Sequence, residues 1–191
     1  RRADIVGATY TPDDESGDAL KYTQALARVC EKMGATFLYG TQVTGLGADR
    51  VSRRVHSVEI SGSQGYRDLR ARDVVVSLGC WSAPALRPYG VRLNIYPAKG
   101  YSATIPIDKS NAAPVTSLTD DEYKLVYSNL GDRLRVAGTA ELSGYSRNLN
   151  IGRCEAILRN VRNLFPRAGD FAGVKYWTGL RPTTPSNIPY V

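Results

Sequence analysis

DEYKLVYSNLGDRLRVAG, residues 121–138, decides the architecture of the second half of this chain. DEYKLVYS (121–128) and RLRVAG (133–138) are two extended runs. NLGD between them supplies the turn that folds one back on the other, so the segment reads as a β-hairpin. Upstream, YPAKGYSATIP (96–106) alternates like a strand, and Val174–Leu180 reads as a final strand downstream. One helix interrupts, near Ile151–Phe165: Cys154, Ile157, Leu158, Val161 and Phe165 form its apolar stripe, and Pro166 stops it. From about residue 91 onward the pattern predicts a mostly antiparallel sheet with one or two helices on it.

The first half has a different texture. A helix is expected over Ala19–Met33, where Tyr22, Leu26, Val29, Cys30 and Met33 recur on one face. Asp18 is placed to cap its start, and Gly34 stands where a left-handed residue ends a helix. ATFLY (35–39) and TQVTGL (41–46) read as short strands broken at Gly40. RVHSVEI (54–60) sets a half-buried His56 with Val58 and Ile60 on one face, and GSQG (62–65) turns into YRDLR (66–70), a small meander. DVVVSLG (73–79) carries an uninterrupted β-branched run, the signature of a central parallel strand buried on both faces. The expected class is therefore α+β or α/β, with one domain over 1–90 and another over 91–191.

The totals narrow the function. At 191 residues, with 42% hydrophobic and 23% charged, the chain can bury a real core. No apolar run exceeds three residues, as at Val74–Val76, which is far short of a membrane span. The opening RRADIVGATYTP has no apolar targeting stretch, and the one Met is Met33, so the sequence is expected to be an internal segment of a longer protein. The net charge of +7 is scattered; even Arg147, Arg153, Arg159, Arg162 and Arg167 lack interleaved aromatics, which argues against nucleic acid. An anionic partner bound through the helix at 151–165 stays open. Cys30, Cys80 and Cys154 are far apart and odd in number, pointing to free thiols in a reducing compartment. With His56 the only histidine, no metal site is expected.

Few residues offer chemistry. Asp13, Asp14 and Glu15, like Asp120, Asp121 and Glu122, read as turn clusters. No nucleophile elbow or phosphate-binding loop is present. Two stretches stand out. SLGCWS (77–82) ends a strand in Gly79, which either permits a sharp turn before Trp81 or lets a ligand approach the backbone. WTGLRPTTPSNIPYV (177–191) places Arg181 after a strand and ahead of Pro182 and Pro185. That guanidinium either pairs with an internal carboxylate or presents its planar fork to a carboxylate ligand.

GLRPTTPSNIPYV resembles the GLRPxTPDGxP segment of the FAD-dependent D-amino-acid oxidase-like family. GDALKYTQALARVCEKMGATF, VVVSLGCWS, YPAKGYSATIP and DEYKLVYSNLGDRLRVAGTAEL extend the likeness over nearly the whole chain, and the last two with WTGLRPTTP resemble its dehydrogenase branch. The resemblance implies a glutathione-reductase-like FAD fold with a β-meander, joined to a substrate domain with a large sheet. It implies hydride transfer from a D-amino acid to FAD, giving a 2-oxo acid and ammonia, with no catalytic acid or base assigned. It gives Arg181 the substrate carboxylate and sets Val43, Leu78, Gly79 and Cys80 beside FAD. Tyr101 and Tyr123, with Tyr96 and Tyr127 behind them, are candidates for pocket lining, although each also suits a plain sheet position. A respiratory acceptor such as a quinone is implied, in the cytoplasm with peripheral attachment to the inner membrane. A glycine or sarcosine oxidase is the alternative within the family. The family's GxGxxG fingerprint and its glycine-rich C-terminal segment are absent from this sequence, and Ser186-Asn187 replaces the usual Asp-Gly, so the FAD site is expected to be incomplete and the segment inactive alone.

Overall fold

The computed structural model describes residues 5–49, 51–52 and 54–191, so the first four residues of the expected 1–90 domain lie outside it. The chain divides into two compact units: Lys21–Asn94, and Ile95–Val191 with the described residues ahead of Lys21.

Helix α1 spans Ala19–Lys32. The Asp18 carboxylate accepts the Leu20 N–H at 3.1 Å, and Gly34, at φ 96°, closes the other end. The apolar stripe is there but not covered: Leu26 is 48% exposed and Met33 82%. The expected strand 35–39 does not form; Phe37 and Tyr39 instead stack their rings 5.5 Å apart. Strands β1 (Gln42–Asp49), β2 (Arg54–Gly62) and β3 (Gly65–Arg70) make the expected antiparallel meander, in the order β1-β2-β3. A tight turn at Ser63–Gln64 joins β2 to β3, and Gly65 takes the φ of 83° there. His56 is exposed, not half-buried; Ser57 and Ile60 are the buried residues of β2. The bulged partner strand β1 shifts register twice and breaks the simple alternation.

DVVVSLG forms no ladder. A strand exists only through a paired neighbour, and none of the described strands pairs with residues 73–79. Val75 is 86% exposed. After it come a tight turn at Gly79–Trp81 and the short helix α2 (Ser82–Leu86). Tyr89 then ties the following turn to β1, its hydroxyl accepting the Leu46 N–H at 2.6 Å and donating to the Leu46 carbonyl at 2.9 Å.

The second unit is built on β4 (Tyr96–Pro106), β5 (Leu118–Asp120), β6 (Leu125–Asn129), β7 (Arg133–Glu141), α3 (Ile151–Leu164) and β8 (Lys175–Thr183). Its strands lie in the order β5-β6-β7-β4-β8, antiparallel at every pairing. The hairpin is present, but its first strand starts late. Asp120 accepts the N–H groups of Glu122 and Tyr123 at 3.0 and 3.1 Å, making 121–124 a turn. The edge strand β5 is too short to show in the sequence pattern. Asn150 caps α3 by accepting the Arg153 N–H. Cys154, Ile157, Leu158 and Val161 press onto Tyr101, Ala103, Ile105, Leu125, Tyr127, Leu134 and Val136 to form the core.

Pairing of β4 with β8 is one-to-one throughout. Against β7, by contrast, the ladder skips Thr139, so Gly138 faces Tyr101 and Ala140 faces Gly100. Thr139 sits at φ 55° in this bulge, with the Arg153 guanidinium donating to its hydroxyl at 2.5 Å.

Leu134 has no exposed surface and lies in the middle of this core. Leu134→Ala is expected to lower the unfolding free energy by about 2–5 kcal/mol, read as a drop in the urea midpoint at unchanged slope.

Candidate functional site

Strand alternation sorts the site residues by face. Lys99, Tyr101, Ala103 and Ile105 of β4 point to the α3 side, where Tyr101, Ala103 and Ile105 join the core. Ala98, Gly100 and Ser102 point to the other side, and their β8 partners there are Arg181, Gly179 and Trp177. Strand β8 continues to Thr183, which places Arg181 inside the ladder. As an edge strand it tolerates Pro182.

Arg181 is exposed, and among the described residues no carboxylate pairs with it. Its guanidinium lies over Gly100: a β-carbon there would stand 2.7 Å from Nη2 and 2.9 Å from Cζ. Next along the same face, the Trp177 indole lies over Gly179, whose β-carbon would stand 2.2 Å from Cη2. The Arg135 guanidinium, from β7, is 5.4 Å from the indole centre.

The opposite face holds a sealed cluster. Lys99 is 2% exposed, with Nζ 2.9 Å from a Glu141 carboxylate oxygen and donating to the Asn148 carbonyl at 3.0 Å. The Tyr101 hydroxyl donates to the same Glu141 carboxylate. These bonds, Lys99 first and Tyr101 second, hold the Glu141 carboxyl below its ordinary range. Glu141 in turn holds the Lys99 ammonium above its own, against the desolvation that burial imposes. Gly144 donates its N–H to the Tyr96 hydroxyl at 3.2 Å. The segment after β7 is thus tied to β4 at two points.

The structure corrects the tyrosine expectations. Tyr101 is buried in the core on the face away from Arg181, so it does not line a recess with that residue. Tyr127 is also buried, edge-on to Phe165 at 5.5 Å, and burial pushes its hydroxyl up to about 12. Tyr123 is 53% exposed and borders a cleft of about 700 Å³ with Leu125, Thr139, Arg153 and Ile157, on the α3 side. Arg181 is not among that cleft's lining residues.

In the other unit, Val43 pairs with Ile60 at the start of the meander and is 43% exposed. Leu78 is 39% exposed, and its N–H donates to the Ser82 hydroxyl at 3.1 Å. Gly79 turns the chain at φ 54°. Cys80 is buried, and desolvation pushes its thiol up, which suits a packed thiol rather than a reactive one.

Sequence reading missed Gly100, Gly179, Trp177 and the Lys99–Glu141 pair. The glycines did carry a signal, since glycine inside a strand marks a close approach. Lys99 and Glu141 meet only through the β4–β7 register. Glu141's contribution to stability is present above its ordinary pKa of 4.5 and is lost as pH falls through its lowered value. That of Lys99 is present below 10.5 and is lost as pH rises through its raised value. Glu141→Gln is expected to lower stability at neutral pH and to flatten the acid limb of a plot of denaturation midpoint against pH.

Residues 1–191 match the family model described as FAD dependent oxidoreductase. The chain is 47% identical over 188 residues to a D-amino acid dehydrogenase of Paramagnetospirillum magneticum, covering 98% of this chain and 43% of that protein. It is 48% identical over 188 residues to a D-amino acid dehydrogenase of Dechloromonas aromatica, covering 98% and 44%. The chain therefore spans less than half the length of these relatives. Among solved structures it is similar to glycine oxidase from Geobacillus kaustophilus, with TM-score 0.66, 24% identity, and coverage of 88% of this chain and 43% of that one. It is also similar to L-proline dehydrogenase from P. horikoshii, with TM-score 0.69, 17% identity, and coverage of 89% and 45%. At such identities the likeness speaks for the fold: a mixed α/β chain of the glutathione-reductase-like FAD class, with antiparallel sheets.

Proposed function

We propose that this chain, which belongs to the FAD-dependent oxidoreductase family, is the central part of a dehydrogenase that oxidises D-amino acids to 2-oxo acids and ammonia. The observation that carries this reading is Arg181: a solvent-facing guanidinium laid flat over a side-chain-free strand position, with no carboxylate of the described residues to neutralise it.

A guanidinium in that setting offers two parallel charge-assisted hydrogen bonds to a carboxylate. Gripping the carboxylate at both oxygens fixes the plane of that group and leaves the α-carbon and amino group free. Restricting the substrate in this way is a large part of what such a site must do, since orientation alone can supply several kcal/mol of a barrier. FAD, when bound, supplies the two-electron acceptor for oxidation at the α-carbon. Val43, Leu78, Gly79 and Cys80 are the residues here that would hold part of it. Val43 and Leu78 offer exposed apolar side chains, and Gly79 makes a tight turn without a side chain. The rest of the FAD site is assigned to residues beyond this chain.

The electron acceptor is proposed to be a respiratory quinone, reached from the cytoplasmic face of the membrane, in keeping with the dehydrogenase names of the relatives. The glycine oxidases among the structural neighbours give the competing substrate.

The test is anaerobic mixing of the natural-length gene product with D-alanine, L-alanine or glycine, following flavin absorbance. Bleaching by D-alanine alone supports the reading. Bleaching by glycine in preference to D-alanine replaces it with the oxidase, and a protein without flavin overturns it. Losing one partner of a charged hydrogen-bonded pair costs about 2–5 kcal/mol. Arg181→Lys is accordingly expected to raise KM for D-alanine tens-fold or more, because a point charge cannot replace the fork. Gly100→Ala, which displaces the guanidinium, is expected to raise it in the same direction. An unchanged KM in both removes Arg181 from the site.

A further inference from the structure

We propose that Trp177 determines how large a substrate side chain the Arg181 site accepts, admitting small uncharged side chains and turning away bulky ones. The inference rests on the carboxylate role of Arg181 and deepens it.

Gly100 of β4 and Gly179 of β8 face each other directly in the ladder. Neither has a positive φ, so backbone conformation does not require glycine at either position. What requires it is room. Arg181 reaches back over Gly100 from one side, and Trp177 reaches forward over Gly179 from the other. The β-carbon positions of a facing pair are about 4.5–5.5 Å apart. The guanidinium and the indole edge therefore stand side by side above one bare patch of sheet.

A carboxylate held on Arg181 brings the rest of its molecule against the indole. The ring has little freedom to retreat. Arg135 stacks on it at 5.4 Å, and the sheet lies beneath. Ser102, the strand partner of Trp177 on the same face, is 2% exposed, and its hydroxyl has no hydrogen-bond partner among the described residues. With Arg135 and Arg181 both nearby, a cationic side chain is disfavoured as well. An apolar wall of fixed position beside an anchoring cation discriminates by size, and a misfit of a few carbons in such a pocket changes selectivity by about tenfold or more.

The test compares natural-length wild type with Trp177→Phe and Trp177→Ala. Trp177 is 54% exposed, so neither variant removes core packing. Steady-state oxidation of D-alanine and D-phenylalanine is measured for each, with acetate and phenylacetate as competitive inhibitors. The expected result is a graded rise, from Trp through Phe to Ala, in kcat/KM for D-phenylalanine relative to D-alanine. It should reach about tenfold or more in Trp177→Ala and be carried by KM. The Ki of phenylacetate relative to acetate should fall in parallel, which reads the wall without chemistry. Wild type that oxidises D-alanine while both ratios stay flat across the series overturns the role of Trp177 and leaves that of Arg181 standing. Wild type that neither oxidises a D-amino acid nor is inhibited by either carboxylate overturns both.

Discussion

Strand β4 is hydrogen-bonded along both edges, to β7 on one side and β8 on the other, and every position that matters in the second unit takes its address from that double pairing. A slip of one residue on either edge would exchange the two faces of the sheet. Such a slip would pull Tyr101, Ala103 and Ile105 out of the core that α3 completes. The hydrophobic packing on one face thereby fixes what stands on the other. Arg181 is held in place less by its own contacts than by the burial of residues it never touches.

Two adjacent residues of β4 serve two different cations. Lys99 is sealed on the core side, bonded to Glu141 and to the Asn148 carbonyl. Gly100 beside it makes room for the open guanidinium of Arg181. One cation is satisfied internally and serves as a structural tie. The other is left exposed on a bare patch of strand, with no carboxylate of the described residues paired to it.

Local signals were legible in the sequence. The helix at α3, the meander and the hairpin are written in periodicity and turn residues that lie within a few positions of one another. Segments whose state depends on a distant partner were not. Residues 73–79 have the composition of a buried strand, but no described strand pairs with them, and the stripe of α1 is amphipathic yet uncovered. The site divides in the same way. Arg181 could be singled out because an arginine between Leu180 and Pro182 is locally odd. Trp177 could not, and the glycines signalled a close approach without naming what approaches, since that is set by contacts made in the folded sheet; Tyr101 looked like a lining residue until strand parity put it in the core.

The bulge at Thr139 has a consequence for charge. In an unbulged ladder Thr139 would face Gly100, Ala140 would face Lys99, and Glu141 would face Ala98. Glu141 would then project from the same side of the sheet as Arg181, two strands away, where a carboxylate could compete for the guanidinium. The one skipped residue shifts the reading frame of β7 so that this acid serves Lys99 instead. A single left-handed threonine, steadied by Arg153, thus decides which of two cations is paired within the protein and which has no carboxylate partner among the described residues.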